Sequence, residues 1–117
     1  MFFEEIQEEI GSKYKKEKEQ KFAEKCLQLG EEWTRIVSGD FSNFERFRVP
    51  AGANPKEWRR QLTDECRGYI KTQLSKDEVK GFFPPWIFSF VLQLIISAVV
   101  NWIVRKIIDN LFEQENG

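Results

Sequence analysis

The sequence predicts an all-α chain with two long amphipathic helices, a short aromatic helical turn between them, and a C-terminal apolar helix. Three observations predict it. Apolar residues recur at helical spacing through most of the first 80 residues. No run alternates apolar and polar residues as a half-buried strand does. The charges also stop abruptly: residues 1–80 carry 16 basic and 16 acidic side chains, and the 23 residues from 82 to 104 carry none. The mean hydropathy of −0.51 averages over these two unlike halves. The chain divides accordingly into a charged helical domain (1–81), an apolar helix (82–112) and a polar tail (113–117).

At the N-terminus, Phe3, Ile6, Ile10 and Tyr14 fall at spacings of 3, 4 and 4, one helical stripe. Gly11-Ser12 reads as a break, with Ser12 as the cap of the next helix. Phe22, Cys26, Leu29, Trp33 and Ile36 follow at 4, 3, 4 and 3, and predict a helix of about 12–37 ended by Ser38-Gly39-Asp40. Glu17 and Lys21 form an i,i+4 pair in the favourable order. Phe41, Phe44 and Phe47 then recur every third residue and predict one aromatic turn, halted by Pro50. Arg46 and Arg48 lie between these rings, which also suits base stacking, but core packing is the default for such phenylalanines.

Asn54 and Pro55 are a cap and a first-turn residue. Trp58, Leu62, Cys66, Tyr69/Ile70 and Leu74 place one apolar stripe along a helix of about 55–74. Ser75-Lys76-Asp77-Glu78 has capping-box spacing and predicts a restart, closed by Gly81. Both cysteines sit on apolar stripes and read as small buried hydrophobes.

The apolar helix starts behind Pro84 and Pro85. Residues 86–104 make about 28 Å of helix, close to the ~30 Å of a bilayer's hydrocarbon. Trp86 and Trp102 stand near its ends, and Arg105 and Lys106 close it, as at a membrane interface. Ile107, Ile108, Leu111 and Phe112 extend the helix to about 112. Ser89, Gln93, Ser97 and Asn101 interrupt the apolar surface every fourth residue. Polar groups need partners, more so in lipid, and residues at this spacing are what helix–helix contacts use. The ridge therefore predicts that this helix meets another helix. A pore lined by the same four residues is a special case, and a sealed packing seam accounts for them equally.

The expectation is a non-enzymatic, oligomerising membrane protein whose C-terminal helix inserts and self-associates. The arginines and lysines upstream, Arg67, Lys71, Lys76 and Lys80, favour a cytoplasmic N-terminal part. The alternative is a structural subunit of a large soluble assembly such as a virus particle, with the helix buried between chains inside it or in its shell. The N-terminal segment is acidic where a signal peptide is basic, so it is expected to stay in the compartment of synthesis.

Other functions find little support in the residues. Net charge is −1, without the basic excess of a nucleic-acid binder. Histidine is absent, which removes the commonest general base and metal ligand. Carboxylates lie among lysines at solvated-face spacing, and no nucleotide-binding, zinc-protease or serine-hydrolase motif occurs. No catalytic residue, cofactor, metal or small-molecule substrate is expected. The expected partners are a second copy of the chain, or other subunits, and a membrane.

Overall fold

A computed structural model describes residues 2–38, 52, 54–79 and 89–116 of the chain. It is all-helical, with α1 (Phe2–Lys13), α2 (Glu17–Ser38), α3 (Pro55–Val79) and α4 (Phe90–Asn116), and no strand among the described residues. The aromatic turn at Phe41–Phe47, the double proline and Trp86 lie outside the described residues.

α1 and α2 form a hairpin around the three residues 14–16. The N–H of Tyr14 donates to Ile10 O at 2.9 Å and closes α1, and Gln20 N to Lys16 O at 2.9 Å opens α2. The helix break thus falls three residues after Gly11, and Ser12 is not the cap expected of it. Gly11 stays helical because the stripe on either side of it is anchored: Phe3, Ile6 and Ile10 are buried, and Tyr14 packs partly buried beside them. Packing of three side chains outweighs the roughly 1 kcal/mol that glycine costs a helix interior.

α2 buries Phe22, Cys26, Leu29 and Trp33, four of the five expected stripe residues, and adds Ala23 and Leu27. Ile36 differs: it is 68% exposed, one turn past the point where the other helices cover α2. The Glu17–Lys21 pair forms at 3.0 Å on the solvent side. α3 starts as its sequence dictates, with Lys56 N donating to Asn54 Oδ1 at 2.9 Å and Trp58 N to Asn54 O at 3.0 Å. Trp58, Leu62, Cys66, Ile70 and Leu74 are all buried. The helix does not restart at Ser75. The Ser75 hydroxyl donates to Lys71 O at 2.9 Å, one turn back, and leaves the ladder unbroken to Val79.

α4 is capped by Ser89, whose Oγ accepts from Leu92 N at 3.2 Å while its carbonyl accepts from Gln93 N at 3.1 Å. The helix runs to Asn116, four residues past the expected end. Ile95, Ile96, Val99, Val100, Ile103, Val104 and Ile107 form a seam two residues wide, each no more than 1% exposed. α1, α2 and α3 all pack on α4, and α1, α3 and α4 all pack on α2, so α2 and α4 together form the middle of the bundle. α2 and α4 run in the same sense, with Phe22 beside Leu92 at one end and Gly30 against Ile103 further along. α1 runs the other way, its Lys13 over Trp102 and its Glu5 on Lys106.

Three helices meet at Gly30. A Cβ built there would lie 2.2 Å from Ile103 Cδ1 of α4 and 3.9 Å from Ile70 Cδ1 of α3. Thr34, one turn on, is fully buried and donates its hydroxyl to Gly30 O at 2.8 Å. Replacing Gly30 by alanine gains helix propensity of about 1 kcal/mol but forces the Ile103 methyl out of its place, with overpacking of about 1–3 kcal/mol. Ile103→Val, which removes that methyl, costs about 1 kcal/mol alone. The double variant Gly30→Ala/Ile103→Val is expected to be more stable in urea unfolding than the sum of the two single effects predicts. Simple additivity would place the close approach elsewhere.

Candidate functional site

With the seam of α4 turned inward, the opposite side of the helix is defined by geometry. Phe90, Leu94, Ser97, Ala98, Asn101 and Arg105 recur at three- and four-residue steps and share that side. Phe90 is 76% exposed, Leu94 53% and their neighbour Val91 49%. Ser97 and Ala98 are half-buried at the middle, and Asn101 and Arg105 are exposed beyond them. This outward strip is apolar at its N-terminal half, small at its centre and polar at its C-terminal half.

The four residues of the expected ridge drift around α4, and their exposure differs along it. A step of four residues turns about 40° too far on a helix of 3.6 residues per turn, so the ridge winds across the surface. Ser89 is half-buried as the cap, Gln93 and Ser97 are half-buried at the border of the seam, and only Asn101 stands fully outside. Ser97 and Asn101 belong to the outward strip. Phe90, Leu94 and Ala98 are the strip residues that sequence reasoning passed over. On a helix apolar all round, the exposed rings and branches look the same as the buried ones until the rest of the bundle picks a face.

Of the residues expected at a membrane interface, Trp102 and Lys106 touch α1, Arg105 is exposed, and Trp86 lies outside the described residues. Trp102 is half-buried on the core and carries the Lys13 ammonium 5.4 Å from its ring centroid. Lys106 is ion-paired with Glu5 of α1, and Arg105 is exposed. Between α1 and α4 lies a cleft of about 660 Å³, walled by Glu8 and Glu9 on one side and Trp102 and Arg105 on the other. A smaller hollow of about 450 Å³ adjoins the apolar end of the strip, lined by Phe22, Ser89, Val91 and Leu92. Among the described residues no group of three or more cysteine or acidic side chains could hold a metal ion.

Several ionisable groups are shifted by burial or by a charged neighbour. The Lys106 ammonium, by hydrogen bond and then by charge, holds the Glu5 carboxyl below the usual carboxylate range. Burial pushes the thiols of Cys26 and Cys66 up to about 12. Burial also raises Tyr69, whose hydroxyl donates to Glu32 Oε2 at 3.1 Å and so ties α3 to α2.

α4 from Phe90 to Asp109 is long and apolar enough to cross a membrane, with a mean hydropathy of 1.8. The mostly buried core helix of a soluble bundle passes the same test, whereas 39% of this window is buried under the chain's own helices. The chain matches no family model, no curated protein and no solved structure.

Two outcomes follow from these charges. The folded pKa of Glu5 lies below its unfolded value, so its contribution is complete above the ordinary carboxylate range and is lost as pH falls through the folded value. Glu5→Gln should lower the urea midpoint at pH 7 by a small amount, because the pair is surface-exposed. The gap to the parent should close as pH falls below the ordinary carboxylate range and through the lowered folded value. A gap that persists in acid would mean that the substitution acts through packing. The raised, buried thiols should not react with a thiol reagent at pH 8 until denaturant is added. Reaction of either thiol in native buffer at the rate of a free cysteine would contradict their burial.

Proposed function

We propose that the chain is a non-enzymatic structural subunit that self-associates through the outward strip of α4. One observation carries this reading. Phe90, Val91 and Leu94 stand exposed side by side on the helix whose opposite side the rest of the bundle seals. Large apolar groups left together in water mark a contact surface. Ser97 and Ala98 beside them leave room for a second backbone to approach. The charged outer faces of α1–α3 suit an aqueous particle in which α4 meets another copy or another subunit.

A second reading keeps the membrane. The length and hydropathy of Phe90–Asp109 favour it, and on that reading the N-terminal helices stay on the cytoplasmic side. It asks more of the molecule. Moving α4 into lipid strips its seam from α1, α2 and α3 and exposes the apolar faces that those helices bury on it, at about 1.5–3 kcal/mol for each large side chain.

The two readings separate in one preparation. On the first, carbonate releases the protein from expressing cells into the supernatant, and its native mass in detergent-free buffer is a multiple of 13.9 kDa. Leu94→Glu then gives a monomer of unchanged helix content. Retention in the carbonate pellet with solubility only in detergent supports the membrane reading. A monomer in plain buffer at tens of micromolar overturns the first.

A further inference from the structure

The outward strip has a polarity pattern that selects one way for two copies to pair. Phe90, Leu94, Ser97 and Asn101 are separated by 4, 3 and 4 residues, the alternation of core positions in a two-stranded coiled coil. Phe90, Leu94 and Asn101 are exposed and Ser97 is half-buried between them at the edge of the seam, so every copy presents the same face.

Consider the two orientations. In a parallel, in-register pair each residue meets its own copy. Phe90 stacks beside Phe90, Leu94 packs on Leu94, and the small Ser97 sets the closest approach. Asn101 meets Asn101, and an amide carries both donors and acceptors, so the two side chains satisfy each other. A single asparagine at this kind of position is the known device for fixing register and a two-stranded state. In an antiparallel pair centred on Ser97 and Ala98, Leu94 of each copy faces Asn101 of the other. Both amides then lose water against an apolar partner, at about 1–3 kcal/mol each. The apolar half would also lie on the polar half at both ends. Like meets like only in the parallel pair.

Among the described residues, Phe90, Leu94 and Asn101 stand exposed beside α1, α2 and α3. α1 is held on α4 near Trp102 and Lys106, on residues turned away from the strip's centre. Arg105 follows Asn101 by four residues and flanks the seam at its solvated end, where two guanidinium groups remain in water.

Resting on the self-association reading above, we propose that the partner of the α4 strip is a second copy of this chain, paired parallel and in register through Phe90, Leu94, Ser97 and Asn101. Asn101 sets the register by pairing with itself.

Disulfide trapping tests it. The native thiols are buried, so the parent chain serves as the unlinked control. Leu94→Cys alone and Asn101→Cys alone should each form a covalent dimer on mild oxidation, in high yield. Mixing the two variants should add little Leu94–Asn101 cross-product. Asn101→Leu should leave association intact but broaden the native mass beyond a single species, as expected if the amide fixes register. Cross-linking only in the mixture, with neither variant linking to itself, overturns the parallel register in favour of the antiparallel one. No link in any sample whose native mass is still a dimer overturns this surface while leaving self-association standing. A monomer throughout overturns both.

Discussion

The bundle depends on one missing side chain. α2 can lie against α4 at Gly30 because nothing projects there to hold Ile103 away. Glycine in a helix interior costs about 1 kcal/mol of backbone propensity, so its presence marks a close approach that repays the loss. Ile70 of α3 reaches the same point, and Thr34 turns its hydroxyl back onto the Gly30 carbonyl so that a buried polar group is satisfied inside its own helix. Once these three helices are fixed, the rotation of α4 about its axis is fixed too. Ile103 faces inward, the seam from Ile95 to Ile107 follows at one-turn intervals, and Phe90, Leu94 and Asn101 are left outside.

That rotation explains the composition of α4. A helix with one buried stripe is amphipathic, and its outer face is charged. α4 carries no charge between residues 90 and 104, on either side. A membrane span is one way to need this. Two protein contacts on opposite sides are another: an intramolecular seam of branched aliphatics, and an outward strip of mixed apolar, small and amide groups suited to a second helix. The outward strip is less apolar than the seam, as a surface must be if the subunit spends time in water before it assembles.

The apolar stripes of α2 and α3 were legible in the sequence because each has one buried side and a charged opposite side. Asn54-Pro55 was legible as a start because capping is local chemistry. Boundaries that depend on partners were not. Gly11 and Ser75 carry breaker and cap signals, yet both sit inside helices, since buried neighbours hold the first and a back-bond to Lys71 absorbs the second. Ile36 continues its stripe by spacing alone, but among the described residues no helix covers it. Neither the two faces of α4 nor the tie of Lys106 to α1 could be read, because a helix apolar all round has no pattern from which to take its orientation and the Glu5–Lys106 pair spans almost the whole chain.

The placement of α1 explains why the exposed apolar groups sit where they do. Twelve residues of helix reach about 18 Å, less than half the length of α4. α1 spends that reach on the C-terminal half of α4, where Lys13 covers Trp102 and Glu5 holds Lys106. The outward positions there, Asn101 and Arg105, are polar and need no further cover. The N-terminal half of α4 lies beyond α1, and there the outward positions are Phe90, Val91 and Leu94. The intramolecular cover and the apolar outward groups therefore divide the helix between them. On the proposed reading, that apolar end is the part of the strip which a second copy covers.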